Sequence, residues 1–287
     1  MTCHSKLNRK LNFFGGLIMR LYQKVLLAGM ALLSLNVAAQ TTSAKTLDEI
    51  KEAGKIVLGT NAEYPPFEWV EMVDGEQEYL GIDLDLARMI ADEIGVELVV
   101  SDQAFNALIP AIQAGKIDMA IASMSYTEER AEQVDFSEVY FETKNLFAVP
   151  VDKVGNYTSL EDFASVKIGV LKASVQEQMI KEQYPETEIV SMNKNGDLIE
   201  SLKSGRVDAV LMDNVVIYQY ETLNSDSIAV VGELALEDGS FGNAVALEKG
   251  NAELKAIIDQ IILEAIETDE LSKIVDKNIE LSTKSQD

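Results

Sequence analysis

The strongest constraint on this chain is a unit that occurs twice. Residues 108–123 read LIPAIQAGKIDMAIAS and residues 198–213 read LIESLKSGRVDAVLMD, a spacing of 90 residues with no gap. Gly115 aligns with Gly205, Lys116 with Arg206, Ile117 with Val207 and Asp118 with Asp208. Each copy reads as a helix tail, a glycine stop, a basic residue and a short apolar strand. A looser pair lies upstream, KIVLGTN at 55–61 and VKIGVLK at 166–172. Two α/β lobes of one design are expected, and two lobes imply a cleft. The repeated strands end on Ser123 and Asp213. Ligands of open α/β sheets bind outside the carboxyl ends of strands, so these two residues are expected to face each other across the cleft.

The 287 residues are 47% hydrophobic, which supports real cores and argues against global disorder. Formal charge is −24, with 24 basic and 48 acidic residues. Five of the basic residues (Lys6, Arg9, Lys10, Arg20 and Lys24) lie within 1–39, which holds no acid. From residue 40 onward, 19 basic residues therefore stand against 48 acidic ones, a net −29. Such an excess argues against nucleic acid and anionic membrane surfaces, and its ordinary role is solubility.

The N-terminus reads as an export signal. Lys24 precedes an apolar run at 25–35, and the small residues of Asn36-Val37-Ala38-Ala39-Gln40 suit cleavage after Ala39. The run is shorter than the ~20 residues of a membrane span. Met19 opens a normal signal start of its own, which makes 1–18 an upstream extension. Cys3 is the only cysteine and His4 the only histidine, and both precede the cleavage point. The exported chain is expected to carry no disulfide, no Cys or His metal ligand, no lipoprotein anchor and no cofactor. A periplasmic monomer is the expectation.

Along the chain, 56–59 reads as a strand and 81–95 as an amphipathic helix with Ile82, Leu86, Ile90 and Ile94 on one face. A strand is expected at 98–100, a helix capped by Asn106 next, and a strand at 117–122. Thr127 caps a short helix in whose first turn Arg130 opposes the helix dipole, a misfit that points to another role. Strands follow at 146–150, 166–171, 207–212 and 228–231. Helices follow at 175–184 (capped by Ser174), 196–204 and 214–223, and the last long helix is placed at 251–266. The chain is expected to cross between lobes near 142–146 and 236–242. That puts 45–142 with 242–287 in one lobe and 143–241 in the other, behind a signal at 1–39. A double crossing suits a hinge.

Several strand-end loops converge on the expected cleft. One lobe brings Asn61, Tyr64, Phe105, Ala122, Ser123, Ser125 and Arg130. The other brings Leu171, Ser174, Val175, Gln176 and Asp213. Arginine offers a planar fork for a carboxylate, and the amides that open a helix at Ser174 and Val175 suit an anion. Asp213 suits a cation. Together they fit a zwitterionic amino acid. Glu68 and Trp69 read as structural or surface residues, and of the methionines only Met212 falls beside the cleft.

GTNAEYPPFE (59–68), GIDLDLA (81–87), FNALIPAIQAGKIDMAIASMSYTEER (105–130), VDFS (134–137), KIGVLKASVQE (167–177) and GRVDAVLMD (205–213) carry a resemblance by their order and spacing. From residue 56 to the final helices, the chain resembles the amino-acid-binding proteins of bacterial ABC importers, in the branch for polar and basic amino acids. The resemblance implies a fold of two Rossmann-like lobes joined by a two-crossing hinge, of the type II periplasmic-binding-protein kind. It implies lobes that close on an L-amino acid and deliver it to permease subunits in the membrane. It also implies that Arg130, Ser125 and the Ser174 and Val175 amides take the α-carboxylate. Asp213 and the Ser123 carbonyl would take the α-ammonium, and Tyr64 and Phe105 would sandwich the side chain. The sequence departs from that pattern at Asn61, where basic-residue binders often have Asp, at Ala173, where Gly is usual, and at 274–279, which lacks an aromatic pair.

Arginine or lysine is the expected ligand. Glutamine is the alternative, because Asn61 provides no charge for a buried cation. A dehydratase-type enzyme or a sensor subunit on the same scaffold is the competing class. Enzyme chemistry needs an uncommitted acid in the cleft, and no carboxylate at a strand end stands out.

Overall fold

The structure, a computed structural model, describes residues 45–236 and 242–284. The signal at 1–39 and residues 237–241 of the second crossing lie outside the described residues.

α1 (Leu47–Ala53) starts at a reciprocal capping box between Thr46 and Glu49 and stops at left-handed Gly54. After β1 (Lys55–Thr60) come β2 (Glu63–Tyr64), β3 (Glu68–Val73) and β4 (Glu76–Leu80), a small antiparallel sheet. α2 (Ile82–Ile94) follows and ends at left-handed Gly95. It buries Leu86 and Ile90 completely, worth about 1.5–3 kcal/mol for each side chain. Next are β5 (Glu97–Asp102), α3 (Leu108–Gln113), β6 (Met119–Ala120), α4 (Glu128–Ala131) and β7 (Asp135–Phe141).

The chain then enters a second set: β8 (Asn145–Pro150), β9 (Ile168–Leu171), α5 (Val175–Gln183), β10 (Ile189–Met192), α6 (Asn195–Lys203), β11 (Ala209–Asp213), α7 (Asn214–Leu223) and β12 (Ile228–Leu236). It returns through β13 (Asn243–Leu247), α8 (Ala252–Glu267) and α9 (Glu270–Lys284).

Two five-stranded sheets result, in the orders β5-β1-β6-β13-β7 and β10-β9-β11-β8-β12. Each has three parallel strands and one antiparallel strand beside them, β13 in the first and β8 in the second. Both antiparallel strands are ones that the chain enters on changing sheets. Each sheet carries apolar clusters that include Leu58, Ile90 and Ile258, or Ile121's neighbours Ala120 and Ala122, in the first, and Phe147 and Phe163, or Leu198 and Val210, in the second. Phe67, Ile82 and Ile274 from the first half pack with Val216 of α7 from the second.

The repeated unit has the same internal wiring in both places. Gly115 and Gly205 sit at φ 62° and 70°. The Asp118 amide donates to the Val57 carbonyl at 2.8 Å while its carboxylate accepts from the Val57 amide at 2.8 Å. Asp208 repeats this on Lys167, at 2.8 Å and 3.0 Å. The repeated aspartate thus staples each unit to the neighbouring parallel strand.

Three local expectations change. Asn106 lies inside a 3-10 turn, Phe105–Ala107, and α3 starts behind it with no side-chain cap. The strand expected at 117–122 pairs only at Met119–Ala120, because the chain turns at Ser123, whose φ is 47°. The helix at Ala252–Glu267 is followed by α9, so it is not the last long helix.

Candidate ligand-binding cleft

A cavity lies between the carboxyl ends of the two sheets. Asn61, Tyr64, Phe105, Ala122, Ser123, Ser125 and Arg130 line it from the first half, and Leu171, Ser174, Val175, Gln176 and Asp213 from the second. Met212 is not on the wall; it is buried in the core of the second half. Glu68, Thr143, Asn195 and Asn243 also line the cavity, and sequence reasoning missed all four. Thr143 lies in the first crossing and Asn243 at the end of the second, where no helix or strand pattern points inward.

Arg130 is buried. Its guanidinium donates to the Ser125 carbonyl at 2.7 Å and, across the cleft, to the Ala173 carbonyl at 2.9 Å, and it sits 5.4 Å from the Phe105 ring centre. Thr127 caps α4 by accepting the Arg130 amide, which fixes the backbone from which this side chain leaves. Phe105 therefore stacks on the protein's own cation. Ala173 holds its carbonyl in place at a φ of 62°, a left-handed conformation that explains why glycine would be the ordinary residue there.

Ser174 caps α5 by accepting the Glu177 amide. Its own amide is spent on the Leu171 carbonyl at 3.2 Å, which leaves the Val175 amide as the donor at the helix start. Gln176 donates to Asn145 at 2.7 Å. Asn243 donates to the Ser123 hydroxyl at 2.7 Å, and the Ser125 hydroxyl reaches Asn243 at 3.4 Å.

Asp213 both caps α7, accepting the Val216 amide at 3.0 Å, and faces the cavity. Burial raises its pKa to about 6, against hydrogen bonds from Tyr64 and the helix amides that pull it down. The Tyr64 hydroxyl, pushed well above its ordinary value by burial and by Asp213, is thus a donor. Arg130–Ala173 and Tyr64–Asp213 both bridge the cleft, as does the Lys194–Glu63 ion pair at 2.6 Å on its rim.

Glu68 corrects two expectations. It is neither surface nor scaffold alone: it is 1% exposed and on the cavity wall, so the cleft does contain an acid besides Asp213. Its position follows from a close backbone approach. The Ile82 and Asp83 amides donate to the Pro66 and Phe67 carbonyls at 3.0 and 2.9 Å. A side chain on Gly81 (φ 131°) would come within 2.0 Å of the Phe67 oxygen. Glycine there lets the start of α2 abut β3, which puts the Asp83 carboxyl in hydrogen-bonding contact with that of Glu68. Asp83 also accepts from the Ser123 amide at 2.7 Å and the Tyr140 hydroxyl at 2.9 Å, and burial raises its pKa to about 7. Burial, then Asp83, raises Glu68 well above the carboxylate range. Among the described residues no group of three His, Cys, Asp or Glu side chains is arranged to hold a metal ion.

Twin α/β lobes around a cleft that carries both signs of charge define a binding protein for a small polar solute. The chain matches the bacterial extracellular solute-binding proteins, family 3, over residues 56–280, and it belongs to that family. It is 32% identical over 226 residues to the arginine-binding extracellular protein ArtP of Bacillus subtilis (strain 168), covering 78% of this chain and 85% of that one. To the ABC transporter glutamine-binding protein GlnH of the same strain it is 32% identical over 242 residues, covering 83% and 86%. The crystal structure of AbpA, an amino acid ABC transporter substrate-binding protein of Streptococcus pneumoniae bound to L-arginine, aligns with a TM-score of 0.79 at 38% identity over 83% of this chain and 99% of that one. The fold is the two-lobed α/β fold of these amino-acid binders. No helix among the described residues is long and apolar enough to cross a membrane.

Proposed function

We propose that the protein captures a cationic L-amino acid, arginine ahead of lysine, outside the cytoplasm and delivers it to the membrane subunits of an ABC importer. The charge inventory of the cavity carries this reading. Among the described residues Arg130 is the only base on the wall, and Glu68 and Asp213 are its acids. An α-carboxylate against Arg130 and an α-ammonium against Asp213 leave Glu68 for a side-chain cation. Glu68 supplies the carboxylate that Asn61 lacks, and the Tyr64 ring offers an aromatic face to a planar guanidinium. ArtP, named as an arginine-binding protein, and AbpA, solved with L-arginine bound, support the same ligand.

In this reading Ser125 and the Val175 amide assist Arg130, and Ser174 holds the helix start in place. Asn61, Ala122, Leu171 and Gln176 shape the side-chain channel, and Ser123 faces the ammonium. The lobes divide at the crossings after β7 and before β13 and close over ligand as a monomer, after removal of a signal near Ala39. Closure without chemistry is the role, and Glu68 is a counter-ion rather than an acid catalyst.

Glutamine is the second reading. The Asn195 side-chain amide on the cavity wall is buried with no acceptor, and an amide side chain would provide one. A thermal-shift panel of the twenty amino acids plus ornithine and citrulline tests both. The largest stabilisation is expected from arginine, and a panel led by glutamate would overturn both readings.

A further inference from the structure

Glu68 and Asp83 form an arrangement that two ionised carboxylates cannot hold. Both side chains are buried, and their carboxyls are in hydrogen-bonding contact. The Glu68 Oε2 atom meets no donor among the described residues. Asp83, at the start of α2, is held by two donors, the Ser123 amide and the Tyr140 hydroxyl of β7. The other charged or titratable groups acting on the pair are Tyr64 of β2, Asp213 at the end of β11 and Asp102 at the end of β5, all neutral or negative. Arg130, the one cation on the wall among the described residues, is engaged with the Ser125 and Ala173 carbonyls and the Phe105 ring. A single proton between the two carboxyls is the donor that the arrangement requires.

We propose that Glu68 and Asp83 share one proton in the ligand-free cleft, and that the site takes a cationic side chain by releasing this proton to solvent and an amide side chain by keeping it. The inference rests on the reading of the cleft as an amino-acid site with the side chain at Glu68. The chemistry balances. A guanidinium or ammonium brings one positive charge to the pair and one proton leaves it, so the pair goes from one negative charge to two against one added positive. An amide brings no charge, so the proton stays between the carboxyls and the amide N–H donates to the Glu68 Oε2 atom. One cavity then serves two chemical classes of side chain through its proton content, and the balance between them shifts with pH.

Calorimetric titration of the exported chain with arginine and with glutamine, at pH 7 in phosphate and in Tris, tests this. The two buffers differ widely in ionisation enthalpy, so a proton released on binding appears as a difference in observed heat. Both ligands carry the same α-ammonium, so any contribution of Asp213 cancels between them. Arginine is expected to release up to about one proton more than glutamine, since the pair holds a proton in the free cleft and gives it up to a cation. In Glu68→Gln, the extra release is expected to vanish and arginine affinity to drop at least tenfold. Asp83→Asn is expected to abolish the release as well. Arginine binding with the same buffer dependence as glutamine binding would overturn the shared proton while leaving arginine as a ligand. Binding of neither ligand would overturn both the inference and the reading beneath it.

Discussion

The two copies of the repeated unit share a scaffold and differ at its tip. Both stop a helix at a left-handed glycine and staple the next strand with an aspartate that grips a neighbouring backbone amide. Past that aspartate they diverge. The first copy pairs for only two residues, Met119–Ala120, then turns at Ser123, whose amide is taken by Asp83 and whose hydroxyl is taken by Asn243. The second runs five residues, Ala209–Asp213, and ends on an acid that caps the next helix. One tip is a neutral polar turn in a fixed network, followed by Arg130. The other is an ionisable group whose pKa depends on the cleft. A duplicated frame thus holds the opposite charges that a zwitterion needs, one on each side.

The largest expected effect comes from removing the cation on the first side. Arg130→Ala should weaken binding of the cognate amino acid by about 3–5 kcal/mol, since it leaves a desolvated carboxylate unpaired. Calorimetry checks this, with circular dichroism confirming the fold. Affinity within threefold of wild type would take Arg130 out of the site.

Asp213→Asn should cost about 2–4 kcal/mol by the same logic on the second side. Its pH dependence has a definite sign. Asp213 in the free protein titrates near 6, and only its charged form pairs with an ammonium. Affinity should therefore fall as pH drops through 6, by up to tenfold per unit, and the fall should be absent in Asp213→Asn.

The staples should behave differently from the tips. Asp118→Ala and Asp208→Ala should each lower stability with little change in affinity, as seen in urea unfolding and titration. Asp118 should cost more, about 1–3 kcal/mol, because its side chain is 4% exposed while that of Asp208 is 42% exposed and its lost bond is replaced by water. Equal losses would mean that the two staples are equivalent despite their burial.

The smallest effect is at Ala173. Relieving its left-handed backbone with Ala173→Gly should stabilise the protein by about 0.5–1 kcal/mol in the same unfolding assay, after the added freedom of the unfolded chain is offset. Destabilisation would mean that the methyl group packs usefully in the cleft.

Much of this was legible because it is local. Glycine stops, the Thr127 and Ser174 caps, and apolar periodicity give the helices and strands, and the exact repeat gives the second lobe from the first. The twelve cleft positions came from strand ends and from family resemblance. Glu68 was not legible as a cleft residue, although it closes the motif at 59–68. Its burial depends on Gly81 letting α2 meet Phe67, a contact between segments that a sequence reading treats separately. Thr143 and Asn243 were missed for a related reason: they lie at crossings, where position is set by both lobes. Asn106 was misread because capping residues are also at home inside a 3-10 turn.

The central claim is that the cleft carries one more negative charge than a zwitterion uses, with Glu68 waiting for a side-chain cation. Competition calorimetry of arginine against citrulline, its neutral analogue of nearly the same shape, tests this most directly. Arginine is expected to bind at least tenfold tighter at pH 7.5, and equal or tighter binding of citrulline would contradict the account.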